Sequence, residues 1–238
     1  EMLLTGISLA VAAIPEGLPA IVTITLALSV NRILRRGAVI RKLHAVETLG
    51  CAGVICTDKT GTITQNKMTV QRIWVPGRTL NVSGSGYRAQ GAVEENGRPV
   101  QAARDAALGR LCEAASLCTT AHITRAKDVY DVMGDPTEVA VLVAAAKAGV
   151  TKEALLQQYT VIGENPFDAA RKRMSVTVSG PGGVRLLCKG APDMLLARCT
   201  HIETPAGPRL LAPRDRADIN AACARMAGEA LRVLDGVE

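Results

Sequence analysis

Asp58 is the residue whose surroundings most clearly indicate chemistry. It lies in the stretch ICTDKTGTIT, behind an apolar lead-in, and Lys59, Thr60 and Thr62 follow it directly. A carboxylate can attack a phosphoryl group to form an acyl phosphate, and this transfer depends on charge neutralisation more than on acid–base chemistry. Since Lys59 supplies one positive charge, we interpret Asp58 as a candidate nucleophile for phosphoryl transfer.

A second positive charge is expected from Mg²⁺, held by Asp58 and a backbone oxygen near Thr60. Gly61 lets the backbone approach closely, and Thr62 offers a hydroxyl and an N–H to phosphate oxygens. Phosphatases with an aspartate nucleophile on such a strand usually carry a second Asp two residues later, where this chain has Thr60. Without that acid an acyl phosphate should persist, which suits a protein that couples phosphorylation to movement.

A buried strand over residues 52–57 is predicted to position Asp58, because ligands bind at the carboxyl ends of strands in open α/β sheets. Cys56 is interpreted as a residue of that strand and not as a nucleophile. The seven cysteines are scattered without a Cys-x-x-Cys pair. This spacing indicates neither a zinc site nor a disulfide framework.

The first 31 residues form an apolar segment in which Glu16 is the only charged residue after Met2. As a helix this segment would be about 45 Å long, more than the ~30 Å of a hydrocarbon core. We predict a transmembrane helix, and a buried helix of a soluble protein is the alternative. The basic residues after it predict that this end is cytoplasmic; they are Arg32, Arg35, Arg36, Arg41 and Lys42. No aromatic residue interleaves them, so nucleic-acid binding is not predicted.

Pro15 and Pro19 interrupt this segment on either side of Glu16. Proline lacks an N–H, so nearby carbonyls lose their helical partners. A carboxylate at membrane depth costs at least ~2.5–3.5 kcal/mol and is a functional-site hypothesis by default. Hard oxygen ligands suit Ca²⁺ or Mn²⁺. We therefore predict a cation site, and a proline kink with Glu16 facing other helices is the alternative. Its ligands are the Glu16 carboxylate and the carbonyls of Val11, Ala12 and Ile14.

The rest of the chain predicts a mixture of helices and strands. Helices are predicted at 102–118, 136–148, 151–158, 192–197 and 214–233. Strands are predicted at 68–74, 159–163, 174–179 and 184–188. The last two strands are expected to form a hairpin that turns at 180–183. Asp135 is expected to cap the helix that begins with Pro136.

Two motifs resemble signatures of one family. DKTGT, from Asp58 to Thr62, resembles the phosphorylation signature of P-type cation-transporting ATPases, and AAIPEGLP, from Ala12 to Pro19, resembles their calcium-transporting subfamily. The resemblance extends over essentially the whole chain and is closest to bacterial pumps. It implies ATP-driven transport of Ca²⁺, with Mn²⁺ or another cation as the alternative, through an aspartyl phosphate at Asp58.

The resemblance also implies an architecture. Residues 1–31 resemble the fourth membrane helix, with the break that forms the cation site. Residues 32–69 resemble the stalk and the N-terminal part of a haloacid-dehalogenase-like α/β phosphorylation domain. Residues 70–238 resemble the α+β nucleotide-binding domain that is inserted into it.

The chain is accordingly expected to be a fragment of a multi-pass pump of the cell membrane, with both of these domains in the cytoplasm. Its implied partners are ATP, Mg²⁺, the transported cation, membrane lipid, and the remaining helices and actuator domain of the same pump.

The resemblance further implies a set of nucleotide-binding residues, which comprises Glu138, Phe167, Lys172, Lys189, Gly190 and Arg232. Phe167, the only Phe in the chain, would stack on adenine, and Glu138 would approach the adenine amino group. Ala169 stands where many relatives have Arg, and Arg171 or Arg173 is expected to compensate.

Two other classes of protein stay open at this point. One is a membrane-anchored acyl-phosphate phosphatase. This class is disfavoured because Thr60 stands where such a phosphatase would have its second Asp. The other is a non-catalytic nucleotide-binding module with a membrane anchor.

Overall fold

The computed structural model describes residues 2–12, 17–88, 90–204 and 206–238. Within it the chain divides into two compact units, Glu1–Ile63 and Thr64–Glu238.

The described residues of the first unit form the helices α1 (Met2–Ala12), α2 (Leu18–Leu34) and α3 (Ala45–Gly50). Pro19 lies in the first turn of α2, where a missing N–H costs nothing. Gly37 ends the same helix with a φ of +82°, and the N–H of Ala38 donates back to the carbonyl of Ile33 at 3.3 Å. This is the left-handed glycine termination that satisfies the last carbonyls of a helix.

The predicted transmembrane segment coincides with α1 and α2. In the described ranges, no helix combines the length and the apolar character needed to cross a membrane. Val11 and Ala12, two of the predicted cation ligands, are the last residues of α1. The other two, Ile14 and Glu16, lie outside the described residues. The transmembrane helix and its cation site stay predictions.

The predicted buried strand over residues 52–57 is wrong. These residues are irregular and exposed, and Val54 and Ile55 expose 82% and 84% of their surface. A strand is stable only when its N–H and C=O groups pair with a neighbouring strand. Among the described residues no strand pairs with this segment, so its apolar character alone does not make it a strand.

The second unit begins with a four-stranded antiparallel sheet of order β1-β2-β3-β4. Its strands are β1 (Arg72–Val75), β2 (Arg78–Val82), β3 (Val93–Glu95) and β4 (Arg98–Pro99). A 3₁₀ turn (Ala102–Arg104) and α4 (Ala106–Leu117) follow. A hairpin of β5 (His122–Ala126) and β6 (Val129–Met133) then leads to α5 (Pro136–Lys147) and α6 (Lys152–Leu156).

A second four-stranded antiparallel sheet, of order β12-β9-β8-β7, forms the other half of this unit. Three of its strands are consecutive: β7 (Thr160–Asp168), β8 (Arg173–Gly180) and β9 (Gly183–Gly190). The elements after them are α7 (Pro192–Leu196), the short strands β10 (His201–Ile202) and β11 (Arg209–Leu210), α8 (Pro213–Gly228) and β12 (Asp235–Val237).

Three clusters of buried side chains hold the second unit together. The first packs the β1–β4 sheet against α4 and α5 and includes Leu80, Val93 and Leu108. The second packs the β8–β9 hairpin against α4 and includes Leu117, Met174, Val176, Val178 and Leu187. The third packs β5 against α5 and includes Ile123, Val139 and Leu142. This mixture of helices and antiparallel sheets confirms the predicted α/β fold class.

Several predicted elements are confirmed, and others differ in their bounds. The strand predicted at 68–74 begins at Arg72, and the helix predicted at 102–118 begins at Ala106, after the 3₁₀ turn. The hairpin turns where expected, with Gly180 paired to Gly183 and Gly182 at a φ of +93°. The helix predicted at 214–233 ends at Gly228 because Ala230 takes a φ of +58° and the Leu231 N–H donates to the Met226 carbonyl. The residues after this turn form β12, which pairs with β9.

Candidate functional site

Asp58 lies in an exposed irregular turn of the first unit. Its Oδ1 accepts a long hydrogen bond from the N–H of Thr60, at 3.4 Å. The turn continues with Gly61 at a φ of +80°, a conformation that favours glycine. Thr62 is exposed on the same turn. The turn therefore presents a carboxylate, a hydroxyl and backbone groups within five residues of one another.

The oxygen groups on this turn fit Mg²⁺ in kind and number. Mg²⁺ usually keeps several waters and is bound by one or two carboxylates together with substrate phosphates. Among the described residues no cluster of three or more His, Cys, Asp or Glu side chains could hold a metal ion. Asp58 and a backbone oxygen at Thr60 would thus bind this cation only together with water and phosphate oxygens.

Glu138 lies in the first turn of α5, and the start of this helix is well defined. Asp135 caps that helix, as predicted, and its Oδ1 accepts from the N–H groups of Thr137 at 2.8 Å and Glu138 at 3.4 Å. A helix N-terminus favours negative charge. The capped start therefore fixes the direction in which the Glu138 side chain leaves the helix.

Lys189, from β9, forms a partly buried ion pair with Glu138. The distance from Lys189 Nζ to Glu138 Oε1 is 2.8 Å, and the two side chains are 7% and 14% exposed. Burial alone would raise the pKa of Glu138, but the hydrogen bond and charge of Lys189 outweigh it, and the pKa falls to about 2. The carboxylate is therefore ionised throughout the physiological range.

The turn between β7 and β8 is closed by its own backbone and holds Lys172 at a φ of +51°. The carbonyl of Asp168 accepts from the Lys172 N–H at 2.7 Å, and its Oδ1 accepts from the Arg171 N–H at 2.7 Å. A β-carbon at Gly190 would lie 2.5 Å from the Lys172 carbonyl oxygen. Glycine at position 190 is thus required by the close approach of this turn to β9.

The two arginines expected to compensate for Ala169 are engaged with this same turn. Arg171 Nη2 donates to the carbonyl of Pro166 at 2.9 Å, and Arg173 Nη1 donates to the carbonyl of Arg171 at 3.2 Å. Their guanidinium groups therefore contribute to the shape of the turn, and whether they also meet a phosphate stays a prediction.

Phe167 is exposed at the end of β7, with 63% of its surface accessible. It directly precedes Asp168, which pairs across the ladder with Arg173. An aromatic ring that contributed to the core would be buried, so Phe167 is not a core residue of the second unit. The exposed ring is available for stacking.

Arg232 meets this region through one long hydrogen bond, from its Nη1 to the hydroxyl of Thr137 at 3.5 Å. Thr137 directly precedes Glu138 on α5. Contacts and strand pairing thus connect all six predicted nucleotide-binding residues in one part of the second unit: Glu138, Phe167, Lys172, Lys189, Gly190 and Arg232. Asp58 and its turn belong to the other unit.

Sequence reasoning missed three residues of this region. Lys152 is 8% exposed and donates to two backbone carbonyls, Thr120 donates twice to Glu138, and Asp168 closes the turn beside Phe167. Only Asp168 had a local signal, because Asp is typical of turns that follow a strand. The partners of Lys152 and Thr120 lie 18 to 33 residues away, which no local pattern reveals.

The comparison with known families shows to which family this chain belongs. A sequence model of the P-type ATPase cytoplasmic domain N matches residues 107–235, which contain all six predicted nucleotide-binding residues. The chain belongs to the P-type ATPase family.

P-type ATPases from distant organisms are similar to this chain along nearly its whole length. A calcium-transporting ATPase of Bacillus subtilis is 44% identical over 235 residues, and the cation-transporting ATPase pma1 of Synechocystis is 40% identical over 239. The human calcium-transporting ATPase type 2C member 1 is 39% identical over 240 residues. Each match covers 98% of this chain but only 25–26% of the relative. The chain therefore spans about a quarter of the length of these P-type ATPases.

Proposed function

We propose that this chain is the segment of an ATP-driven cation pump that binds the nucleotide and accepts its γ-phosphoryl group. The observation that carries this proposal is the exposure of Phe167 beside the closed turn that holds Lys172. Family membership supports the use of ATP.

The nucleotide is proposed to bind through its base and its phosphates. Phe167 stacks on the adenine ring, and Lys172 and Lys189 offer positive charge next to it. Gly190 leaves room where a side chain would collide with the turn. Arg232 reaches toward the phosphates from beside the N-terminus of α5, an end that itself favours anions.

Glu138 is expected at the adenine amino group, but we propose a different role for it. Its two carboxylate oxygens already accept four hydrogen bonds from the chain, from Thr120, Ala121 and Lys189. A carboxylate with these partners has little capacity left for a ligand. We therefore assign it the task of orienting Lys189.

Asp58 is proposed as the phosphoryl acceptor. One of its carboxylate oxygens forms a bond to the γ-phosphorus, the bond from that phosphorus to the bridging oxygen breaks, and ADP leaves with the electron pair. Lys59 neutralises charge, and the N–H and hydroxyl of Thr62 bind phosphate oxygens. Mg²⁺, when bound at Asp58 and Thr60, supplies further positive charge to the phosphates.

The transported ion is proposed to be Ca²⁺, bound by the Glu16 carboxylate and the carbonyls of Val11, Ala12 and Ile14. Two of the relatives named above carry calcium transport in their names, whereas the Synechocystis protein is named only for cations. Mn²⁺ is the second candidate because it accepts the same oxygen ligands. The pump is proposed to lie in the cell membrane, where its other helices complete the site and its actuator domain completes the cycle.

The substitution Asp58→Asn in the intact pump tests the phosphorylation step. We expect no acid-stable phosphoenzyme from radiolabelled ATP, because an amide is a poor nucleophile, while nucleotide binding is retained. Asp128→Asn, in the exposed turn between β5 and β6, is the matched control and should be phosphorylated like the parent. A phosphoenzyme of normal yield in Asp58→Asn would disprove the assignment.

The substitution Glu16→Gln in the same pump tests the cation site. Removing the only carboxylate between Met2 and Asn31 should abolish the Ca²⁺ requirement for phosphorylation from ATP. Glu47→Gln, on the exposed helix α3, is the control with the same chemical change. An unaltered Ca²⁺ titration in Glu16→Gln would mean that Glu16 is not a ligand.

A further inference from the structure

The loop 119–121, between α4 and β5, is held by two side chains of opposite charge, the partly buried Glu138 and the buried Lys152. Its N–H groups donate to Glu138: Oε2 accepts from the Thr120 N–H at 3.0 Å, the Thr120 hydroxyl at 2.9 Å and the Ala121 N–H at 3.1 Å. Its carbonyls accept from Lys152, whose Nζ lies 2.8 Å from the oxygen of Thr119 and 3.0 Å from that of Ala121. Charged groups from α5 and α6 therefore satisfy the N–H groups of Thr120 and Ala121 and the carbonyls of Thr119 and Ala121.

The burial of the charged Lys152 side chain is energetically unfavourable by itself. Lys152 is 8% exposed, and its burial lowers its pKa, while the nearby Glu138 charge acts in the opposite direction. A buried charge costs free energy that only good hydrogen bonds and an opposite charge recover. The helix that contains Lys152 does not need it, since Thr151 caps that helix. The demand for Lys152 therefore comes from the loop that it holds.

The same loop determines where Glu138 can lie, and Glu138 in turn holds Lys189. The three loop donors occupy Oε2, and the Lys189 ammonium occupies Oε1 at 2.8 Å. Gly134, just before α5, packs so tightly on the loop that a β-carbon there would lie 2.7 Å from the Ala121 β-carbon. Few alternative arrangements of this set are therefore open without loss of several hydrogen bonds.

We propose that Lys152 is a positioning residue of the nucleotide site. By holding the loop 119–121, it holds Glu138 and so places the ammonium of Lys189 where a nucleotide meets it. Lys152 itself does not touch the nucleotide. This inference rests on the proposed nucleotide binding.

A double-mutant cycle in the full chain, with ADP titrated by calorimetry, tests the proposal. Lys189→Ala removes one charge-assisted contact and should weaken ADP binding about tenfold or more. Lys152→Met keeps the length of the side chain without its charge and should weaken binding about fivefold through displacement of Lys189. The double variant should bind within about twofold of Lys189→Ala alone, because residues that act through one another are not additive.

Lys147→Met is the matched control. Lys147 is also buried, at 7% exposed, and donates to a single backbone carbonyl, that of Ser83, at 2.7 Å. It lies next to α5 residues of the first core cluster, and its hydrogen bond to Ser83 involves neither Glu138 nor the loop. We expect this variant to lose stability, to bind ADP like the parent, and to combine additively with Lys189→Ala.

The proposal is overturned if folded Lys152→Met binds ADP with the affinity of the parent. It is also overturned if the loss of ADP affinity in the double variant equals the product of the losses in the two single variants. Failure of the parent to bind ADP is a different result, which overturns the proposed nucleotide site and this inference with it. If Lys152→Met does not fold, the parent provides the test by NMR. In an ADP titration, the amide signals of Thr120 and Ala121 should then shift, with the same midpoint ADP concentration as the amide signal of Phe167. Signals of the two loop residues that do not shift would contradict the proposal.

Discussion

Phe167 and Lys189, two residues of the candidate nucleotide site, differ in how far their side chains are exposed. Phe167 leaves 63% of its surface exposed, although burying a phenylalanine is favourable by roughly 1.5–3 kcal/mol. Lys189 is 6% exposed, although burying a lysine is unfavourable unless it is paired. Phe167 therefore departs from what folding alone would favour, which is typical of sites that bind a ligand, whereas the burial of Lys189 is compensated by its ion pair with Glu138.

Phe167→Ala should weaken ADP binding by about 5- to 150-fold, since base–aromatic stacking contributes roughly 1–3 kcal/mol per base. Stability should change little, because the ring is exposed. Leu186→Ala, on β9, is the control: its side chain is similarly exposed, at 56%, but lies on a different strand. Calorimetric titration of both variants gives the comparison, and equal ADP affinity in Phe167→Ala and the parent would place the adenine site elsewhere.

The helix α5 is the element that connects stability to the candidate site. Its N-terminus is capped by Asp135, and its first turn supplies Glu138 to Lys189 and to the loop 119–121. Its remaining length is buried against two of the core clusters. A change in how this helix begins should therefore affect folding and ligand binding together.

Asp135→Ala should lower the free energy of unfolding by about 1 kcal/mol, within the range of about 0.5–2 for lost helix caps. ADP affinity should fall as well, because the first turn of α5 would fray. Asp193→Ala, in the first turn of α7 but not at its cap, is the control for loss of one negative charge near a helix start. Urea denaturation measures the first effect, and an unchanged midpoint in Asp135→Ala would contradict the role of the cap.

The Glu138–Lys189 pair should also make stability depend on pH in the acid range. The pKa of Glu138 is about 2 in the folded chain, against an ordinary value of 4.5. Its contribution is therefore fully present above about pH 4.5 and is lost as the pH falls toward 2. Thermal unfolding between pH 7 and pH 2 should show a smaller decline in Glu138→Gln, which is less stable at pH 7. Parallel curves for parent and variant would contradict the pairing.

At the scale of the whole molecule, the two compact units part at Ile63 and Thr64. The boundary predicted from the sequence, between residues 69 and 70, stays a prediction, but contacts of the second unit begin before it. Thr69 Oγ1 accepts from the Gly86 N–H at 3.1 Å, and the Lys67 ammonium lies 5.4 Å from the centre of the Tyr87 ring.

A fragment of residues 64–238 should therefore fold by itself and be more stable than one of residues 70–238. The longer fragment retains the Thr69–Gly86 hydrogen bond and the Lys67–Tyr87 cation–π contact, which contribute about 1 kcal/mol each. For a domain of this size each kcal/mol corresponds to about 2–4 °C in melting temperature. Scanning calorimetry of both fragments measures the difference, and identical melting temperatures would mean that residues 64–69 do not belong to the second unit.

Local sequence determined the elements whose information lies within a few residues. Asp135 followed by Pro136 specifies a helix start, and the four residues from Gly180 to Gly183 specify a hairpin. The DKTGT and AAIPEGLP motifs were enough to indicate the family, because both are short and contiguous. Each of these features depends on backbone preferences or side-chain types that neighbouring residues express together.

Tertiary structure alone decided the features whose partners are distant along the chain. Residues 52–57 have the composition of a strand but find no pairing partner among the described residues. The family resemblance predicts Glu138 at the adenine, and only the structure reveals that donors from Thr120, Ala121 and Lys189 occupy its oxygens. Strand pairing and the satisfaction of buried polar groups depend on which surfaces meet in space, and sequence patterns over a few residues do not contain that information.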